Sequence, residues 1–274
     1  MTDKAEKDGA IDTRLRVLSW NIWWRFGPWE TRRAAISATL ATIDADIIAL
    51  QEVWGDETTN YAAALAVESG YHHIFAPSRE INGFKIGNAL MSRWPILQTD
   101  STPLYSNQKA HEAPVAVFAE IDGPQGRLPL FCTHLNWRFQ HSHARQRQVA
   151  DLAGFVDRHC IETYPPILCG DFNATPMSEE IRMLTGLTAV PVEDLVFFDA
   201  WDCAGGGGAG YTWDNANPYA HDEFEPNRRI DYILVGKPQD RGAGQVMECR
   251  VTGDQAVDGV WPSDHYAVLG DLRY

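Results

Sequence analysis

Six short polar motifs, each joined to an apolar run, constrain this chain more than any other feature. In order they are Leu18-Ser19-Trp20-Asn21, Leu50-Gln51-Glu52, Thr133-His134-Leu135-Asn136, Gly170-Asp171-Phe172-Asn173, Arg229-Ile230-Asp231-Tyr232 and Ser263-Asp264-His265. Desolvating a carboxylate is costly, so a buried strand end carries Asp or Glu only where a cation or hydrogen-bond partner meets it. Six such ends in one chain point to one shared site for a hard metal ion and a phosphate.

Periodicity organises the rest. Leu15–Trp20 reads as a strand, and Thr31–Ile43 as a helix with Ile36, Leu40 and Ile43 at i, i+4 and i+7. Asp46–Leu50 is a short apolar strand ending at Gln51-Glu52, and alanine-rich Thr58–Ser69 is a helix stopped at Gly70. His72–Ala76, Asn88–Ser92, Val115–Ile121 and Leu128–Thr133 are strands, the last two separated by a turn at Gly123-Pro124. His143–His159 has the strongest helical stripe, from Val149, Leu152, Ala153 and Val156, with Arg145, Arg147, Asp151 and Asp157 on its remaining faces. Ile167–Cys169, Ile230–Val235 and Tyr266–Leu269 complete the strands, and Met177–Leu184 is a short helix. Strands and helices interleave, which is an α/β pattern. The motifs come from both ends of the chain and must meet in one site. The expectation is therefore one domain over 13–274 behind a disordered polar leader, 1–12.

The net charge of −14 argues against whole-surface attraction to nucleic acid or anionic membrane, and leaves a local basic groove open. Five cysteines, at 132, 160, 169, 203 and 249, are odd in number and contain no Cys-x-x-Cys pair. They read as free thiols of a reducing compartment, hence a cytoplasmic protein. The first dozen residues hold no apolar secretory core, no run is long enough to span a bilayer, and no obligate protein partner is evident.

The donors are carboxylate, amide and imidazole without a Cys/His cluster, which suits Mg2+ or Mn2+ and disfavours zinc. Such a site hydrolyses a phosphoester without a covalent nucleophile. A carboxylate or His prepares the water, and Asn and His donors stabilise the extra negative charge of the transition state.

The ordered motif series resembles the endonuclease/exonuclease/phosphatase superfamily of DNase I-like nucleases, sphingomyelinases, inositol polyphosphate 5-phosphatases and deadenylases, from residue 15 to residue 273. The resemblance implies a four-layer α/β sandwich, two packed and mostly antiparallel β-sheets flanked by helices. It also implies roles. Glu52 is the main metal ligand, with Asn21 holding its neighbourhood and Asp264 as a further metal-site acid. His134 contacts the scissile phosphate. Asp171 lies near the nucleophilic water or the leaving group, and Asn173 on the phosphate. Asp231 orients His265, the final catalytic His, which acts either as a base or as a cationic phosphate ligand. His134 stands where some nucleases of the family carry Tyr, which is closer to the DNase I and sphingomyelinase branches than to the apurinic endonucleases.

Substrate contacts are expected from Asn136, two residues past His134 on the same side of an extended strand, and from Arg93 and Arg145 near motif ends. For Arg145 a solvated helix face is the plainer expectation. His72, His73, His111, His141, His143, His159 and His221 read as solvated or capping residues. Trp20, Trp23, Trp24, Phe26 and Trp29 read as core or cleft wall, with a stacking platform or lipid-facing rim as the sharper alternative. The glycine run Gly205–Gly208 is a loop without the Gly-Lys-Ser/Thr of a phosphate-binding loop. The chain is thus expected to be a phosphodiesterase acting on a small or lipid-linked phosphoester. A nuclease with a short groove formed by Arg25, Arg93, Arg138 and Arg145 is the alternative. A catalytically silent binding module of the same fold is the reading from another class.

Overall fold

A computed structural model describes residues 10–106 and 113–274. Two β–α–β units organise it. Strand β1 (Arg14–Asn21) leads through helix α1 (Trp29–Ile43) to β2 (Ile47–Gly55), which lies parallel beside β1 with Asn21 opposite Gln51. Helix α2 (Tyr61–Ser69) follows, and β3 (His72–Ile81) and β4 (Phe84–Ser92) form a hairpin. Then come β5 (Ile96–Pro103), β6 (Val115–Gly123) and β7 (Gly126–His134). The second unit carries β7 through α3 (Ser142–Arg158) to the parallel β8 (Ile167–Asp171), with His134 opposite Asp171. Helix α4 (Glu179–Leu184), β9 (Phe197–Asp199), α5 (Ala200–Ala204), α6 (Pro218–His221), β10 (Asp231–Gly236), β11 (Val246–Thr252) and β12 (Ala267–Arg273) complete the chain.

The strands form two six-stranded sheets, ordered β11-β12-β1-β2-β4-β3 and β5-β6-β7-β8-β10-β9, each antiparallel apart from its one parallel pair. Alternation along each strand explains the layers, because successive side chains point to opposite faces. Leu15, Val17, Ile47 and Ala49 of the first sheet meet Leu130, Cys132, Ile167, Cys169 and Ile233 of the second in the core between the sheets. Leu18, Trp20, Ile48 and Leu50 face outward onto Ile36, Ile43, Tyr61 and Leu65 of α1 and α2. On the far side Phe131, Leu168 and Leu234 pack against Val149, Leu152, Val156 and Ile181 of α3 and α4. This is the expected four-layer sandwich.

Parallel pairing brings strand C-termini together, and antiparallel pairing places the starts of neighbouring strands at that same end. Asp171 ends β8 with His134 as its lateral partner on one side and Asp231, the first residue of β10, on the other. The Gly of the Gly170-Asp171 motif is required by this pairing, since a Cβ there would collide with the Thr133 carbonyl oxygen.

Several sequence expectations shift. β2 continues past Gln51-Glu52 to Gly55, with a register break against β4 between Leu50 and Val53. Glu52 sits in that bulge at φ 54°, and a bulge turns a side chain out of the regular alternation. β5, β9 and β11 carry no clear strand signal in the sequence: β5 is mostly exposed, and β9 has three residues. The sequence pattern puts Arg145 on the polar side of α3, but it lies on the buried stripe with Gln148, Val149 and Leu152. Of the leader, residues 1–9 fall outside the described residues, as does His111. Ile11 is tied down, its N–H donating to Arg241 O at 3.1 Å. All five cysteines are free, with Cys132, Cys169 and Cys249 buried.

Candidate active site

All six motifs meet through hydrogen bonds or close polar contacts at one end of the sandwich, where both sheets contribute. From the first sheet, Asn21 Nδ2 donates to Glu52 Oε1 at 3.3 Å and across the gap to Asp171 Oδ2 at 3.0 Å. From the second, His134 Nε2 stands 3.5 Å from Asp171 Oδ2 and 3.9 Å from Glu52 Oε1. Asn173 Nδ2 lies 3.1 Å from His134 Nε2 and donates to Leu135 O at 3.2 Å, while its backbone N–H donates to Asp171 Oδ1 at 2.9 Å. Asn173 adopts φ 50°, a left-handed conformation that Asn tolerates better than most residues. His265 Nδ1 lies 2.9 Å from Asp231 Oδ2, and its Nε2 lies 3.8 Å from Asp171 Oδ2.

Asp264, in the sixth motif, joins through Ser263. The Ser263 hydroxyl donates to Asn21 O at 2.7 Å, lies 3.3 Å from Asp264 Oδ1 and accepts from His265 N at 3.2 Å. Trp20 Nε1 donates to His265 O at 3.0 Å, and the Trp213 ring meets the imidazole edge-on with centroids 5.0 Å apart. Thr212 Oγ1 accepts from Asp231 N at 3.2 Å, and Asn217 Nδ2 donates to Ser263 O at 2.7 Å. Thr212, Trp213 and Asn217 carry no sequence signal as supports, because loops bring them to the site.

The electrostatics follow from burial. Burial raises the Asp171 carboxyl above its ordinary range, nearby Asp231 adds to the effect, and His265 and His134 oppose it. Burial drives Asp264 up to about 7, against the pull of His265, and the Glu52 charge adds to the rise. Burial alone would lower His265, but Asp231, Asp171 and Asp264 together hold it well above the ordinary imidazole value. Proton affinity is therefore raised at three groups of one cleft.

Glu52 Oε2 and Asp231 Oδ1 are buried and have no hydrogen-bond partner. The cleft thus has more acceptors than donors, which a cation would balance, and its oxygen-rich donor set suits a hard divalent ion. Asp171, Asp231 and His265 offer ligand-type atoms within 4.8 Å of one another. Two of these residues already pair with each other through Asp231 Oδ2 and His265 Nδ1, whereas Glu52 Oε2 is unpartnered, so the Glu52 side also fits a cation.

The cleft continues into a cavity of about 300 Å³ lined by Glu52, His134 and Asn136 and walled by Phe26 and Trp137. Asn136 thus lies on the cavity wall. Of the aromatic cluster around the end of β1, Trp20 is fully buried and Trp24 nearly so, while Phe26, at 41% exposed, forms the wall. Arg93 and Arg145 do not reach the site. Arg93 follows the opposite end of β4, where it pairs with Asp44 and, at 3.1 Å, with Asp46. Arg145 is buried on Glu180 at 2.8 Å and holds the carbonyls of Asn136 and Arg138 at 3.1 and 2.7 Å.

This fold and cleft define a class. The chain belongs to the endonuclease/exonuclease/phosphatase family, whose model matches residues 18–265. It is 28% identical over 208 residues to an inositol phosphosphingolipids phospholipase C of Schizosaccharomyces pombe, covering 68% of this chain and 46% of that protein. It is 26% identical over 171 residues to Protein angel of Drosophila melanogaster, covering 59% and 48%. The chain thus spans about half the length of these curated relatives. Among solved structures, TDP2 of D. rerio complexed with single strand DNA product superposes with a TM-score of 0.77 at 19% identity, covering 96% of this chain and 100% of that one. That likeness concerns the fold. Among the described residues no helix is long and apolar enough to cross a membrane.

Proposed function

We propose that this protein is a divalent-metal-dependent phosphodiesterase that hydrolyses a small or lipid-linked phosphoester by direct attack of water, with Mg2+ or Mn2+ as its cofactor. The observation that carries this reading is the convergence of Asn21, Glu52, His134, Asp171, Asn173, Asp231 and His265 within one chain of polar contacts. Asn21, Glu52 and Asp264 would hold the ion. When bound, a divalent ion polarises a phosphoryl oxygen and neutralises charge on the leaving oxygen. Asp171, with its raised proton affinity, accepts the proton of the attacking water. His134 and Asn173 donate to the phosphoryl oxygens, whose charge grows in the transition state. Asp231 fixes the imidazole of His265 by taking its Nδ1–H, so that Nε2 faces Asp171 and the phosphate.

Membership of the family and the resemblance to a phospholipase C acting on inositol phosphosphingolipids support a lipid-linked ester. The nuclease alternative called on Arg25, Arg93, Arg138 and Arg145. Arg93 and Arg145 are engaged elsewhere, and the Arg25 guanidinium stacks 3.6 Å over the Phe84 ring. A panel of DNA, RNA, sphingomyelin, inositol phosphates and aryl diesters, run with and without metal, tests the proposal. Turnover of the lipid or aryl diesters is expected. Turnover of nucleic acid alone, weakening steeply with salt, would replace the reading with the nuclease. Silence on every substrate would return the chain to a binding module.

A further inference from the structure

The two crossover helices share a device. Each carries an arginine in the first turn of its buried face that reaches back to the loop leaving the preceding strand. On α3 this is Arg145, neutralised by Glu180. On α1 it is Arg32, fully buried at the head of the stripe Arg32, Ala35, Ile36, Thr39, Ile43.

Arg32 differs in what it holds. Its Nη1 donates to Ile22 O at 2.9 Å and to Pro262 O at 2.8 Å. Its Nη2 reaches the carbonyls of Trp23, Trp24 and Phe26 at 2.7, 3.1 and 3.0 Å. The guanidinium also lies 4.7 Å from the Trp23 ring centroid. Trp23 and Trp24 adopt φ 58° and 31°, a backbone that costs energy in large residues and persists only where the surroundings fix it. All of these hydrogen-bond acceptors are carbonyl oxygens, and the carboxylates that act on the guanidinium through space are Asp264 and Glu52. One side chain thus gathers the loop behind Asn21, the cavity wall Phe26 and the stem in front of Asp264-His265.

We infer that Arg32 is a positioning residue: it sets the Asn21 loop against the Pro262–His265 stem, so that Asn21, Glu52 and Asp264 form one metal-binding set. The inference rests on the proposed phosphodiesterase reading of this cleft. A planar guanidinium is needed, because its fixed fork of donors matches several carbonyls at once, whereas an ammonium is a point charge with three rotatable donors. Arg32→Lys therefore keeps the charge and loses the fan.

The test compares the full chain with Arg32→Lys in three measurements: Mn2+ affinity by calorimetry, kcat and KM on an aryl phosphodiester, and thermal unfolding. Supports one shell away from a metal site typically contribute roughly 10–100-fold in affinity or activity. Mn2+ binding is expected to weaken by that factor, and kcat to fall with it. Lowered thermal stability with unchanged Mn2+ affinity and kcat would make Arg32 a purely structural clamp and overturn the inference. If Arg32→Lys does not fold, Pro262→Gly tests the same joint from its other side, since it leaves Arg32 in place and loosens the stem. The same losses are then expected, and wild-type affinity and kcat overturn the inference. If the unmodified chain binds Mn2+ but hydrolyses no phosphoester, the phosphodiesterase reading fails, while the affinity comparison still decides the role of Arg32.

Discussion

Nδ2 of Asn21 donates to Oδ2 of Asp171 at 3.0 Å, a contact between residues 150 apart in the chain and on different sheets. It joins the two halves of the cleft. The residue that pairs with Glu52 on one sheet is the residue that touches the proposed base on the other. Each role assigned to these groups leads to a measurement.

Asp171→Asn keeps the shape of the side chain and removes its capacity to accept a proton. Turnover of an aryl diester is expected to fall by about a hundredfold or more, the usual scale of acid–base catalysis. The fold should persist, because a neutral amide is easier to bury than the charge it replaces. A variant keeping more than a tenth of the activity would remove Asp171 from the reaction.

His265→Ala is expected to abolish turnover as well. Asp231→Asn is subtler. Burial pulls the imidazole toward lower proton affinity and the Asp231 carboxylate is foremost among the groups that raise it, so the amide should shift the His265 titration downward. NMR titration of the ring reads this directly, and an unmoved His265 would break the proposed pair.

Asp264, Asp171 and His265 all bind protons more tightly in the fold than in the unfolded chain. Their contribution to stability is complete at low pH and is lost as the unfolded state releases protons first. For Asp264 the loss spans the range from 3.8 to about 7, and for His265 it begins near 6.5 and continues above. Metal-free protein should therefore lose stability in denaturant titrations between mildly acidic and neutral pH. A cation should offset that loss by replacing the protons. A flat or rising stability curve in EDTA would contradict the raised affinities.

Chelation should abolish activity, and Mg2+ or Mn2+ should restore it. Recovery by Zn2+ alone would count against an oxygen-ligand site built on Glu52 and Asp264.

Arg93→Ala should leave turnover near wild type, because its ion pairs lie at the other end of the sheet from Glu52. Arg145→Ala should instead destabilise the fold. It strands Glu180, a fully buried carboxylate, and breaking such a pair typically costs about 3–5 kcal/mol. Equal melting temperatures for Arg145→Ala and wild type would show the pair to be dispensable.

Much of this architecture was legible in the chain because motif and strand end coincide. Asn21, His134 and Asp171 announce themselves as polar residues closing apolar runs, and the topology only has to align them. The position of Glu52 was legible but its geometry was not, since no local pattern reveals a bulge. Arg32 and Arg145 were hidden for a different reason. An arginine on a helix reads as a solvated charge, and what holds these two in the interior is the carbonyls of the loop just before each helix, joined by Pro262 O for Arg32 and by the Glu180 carboxylate for Arg145. Arg93 closes an apolar strand as the motif residues do, but β4 runs antiparallel to β2 and so carries it to the opposite end of the sheet from Glu52.

Each sheet keeps its own backbone ladder, and the acidic cleft straddles the seam between them. A small sliding of one face over the other would break no ladder, yet it would part Asn21 from Asp171. Pressure or dilute denaturant should therefore silence this protein while its circular dichroism is still that of the native state.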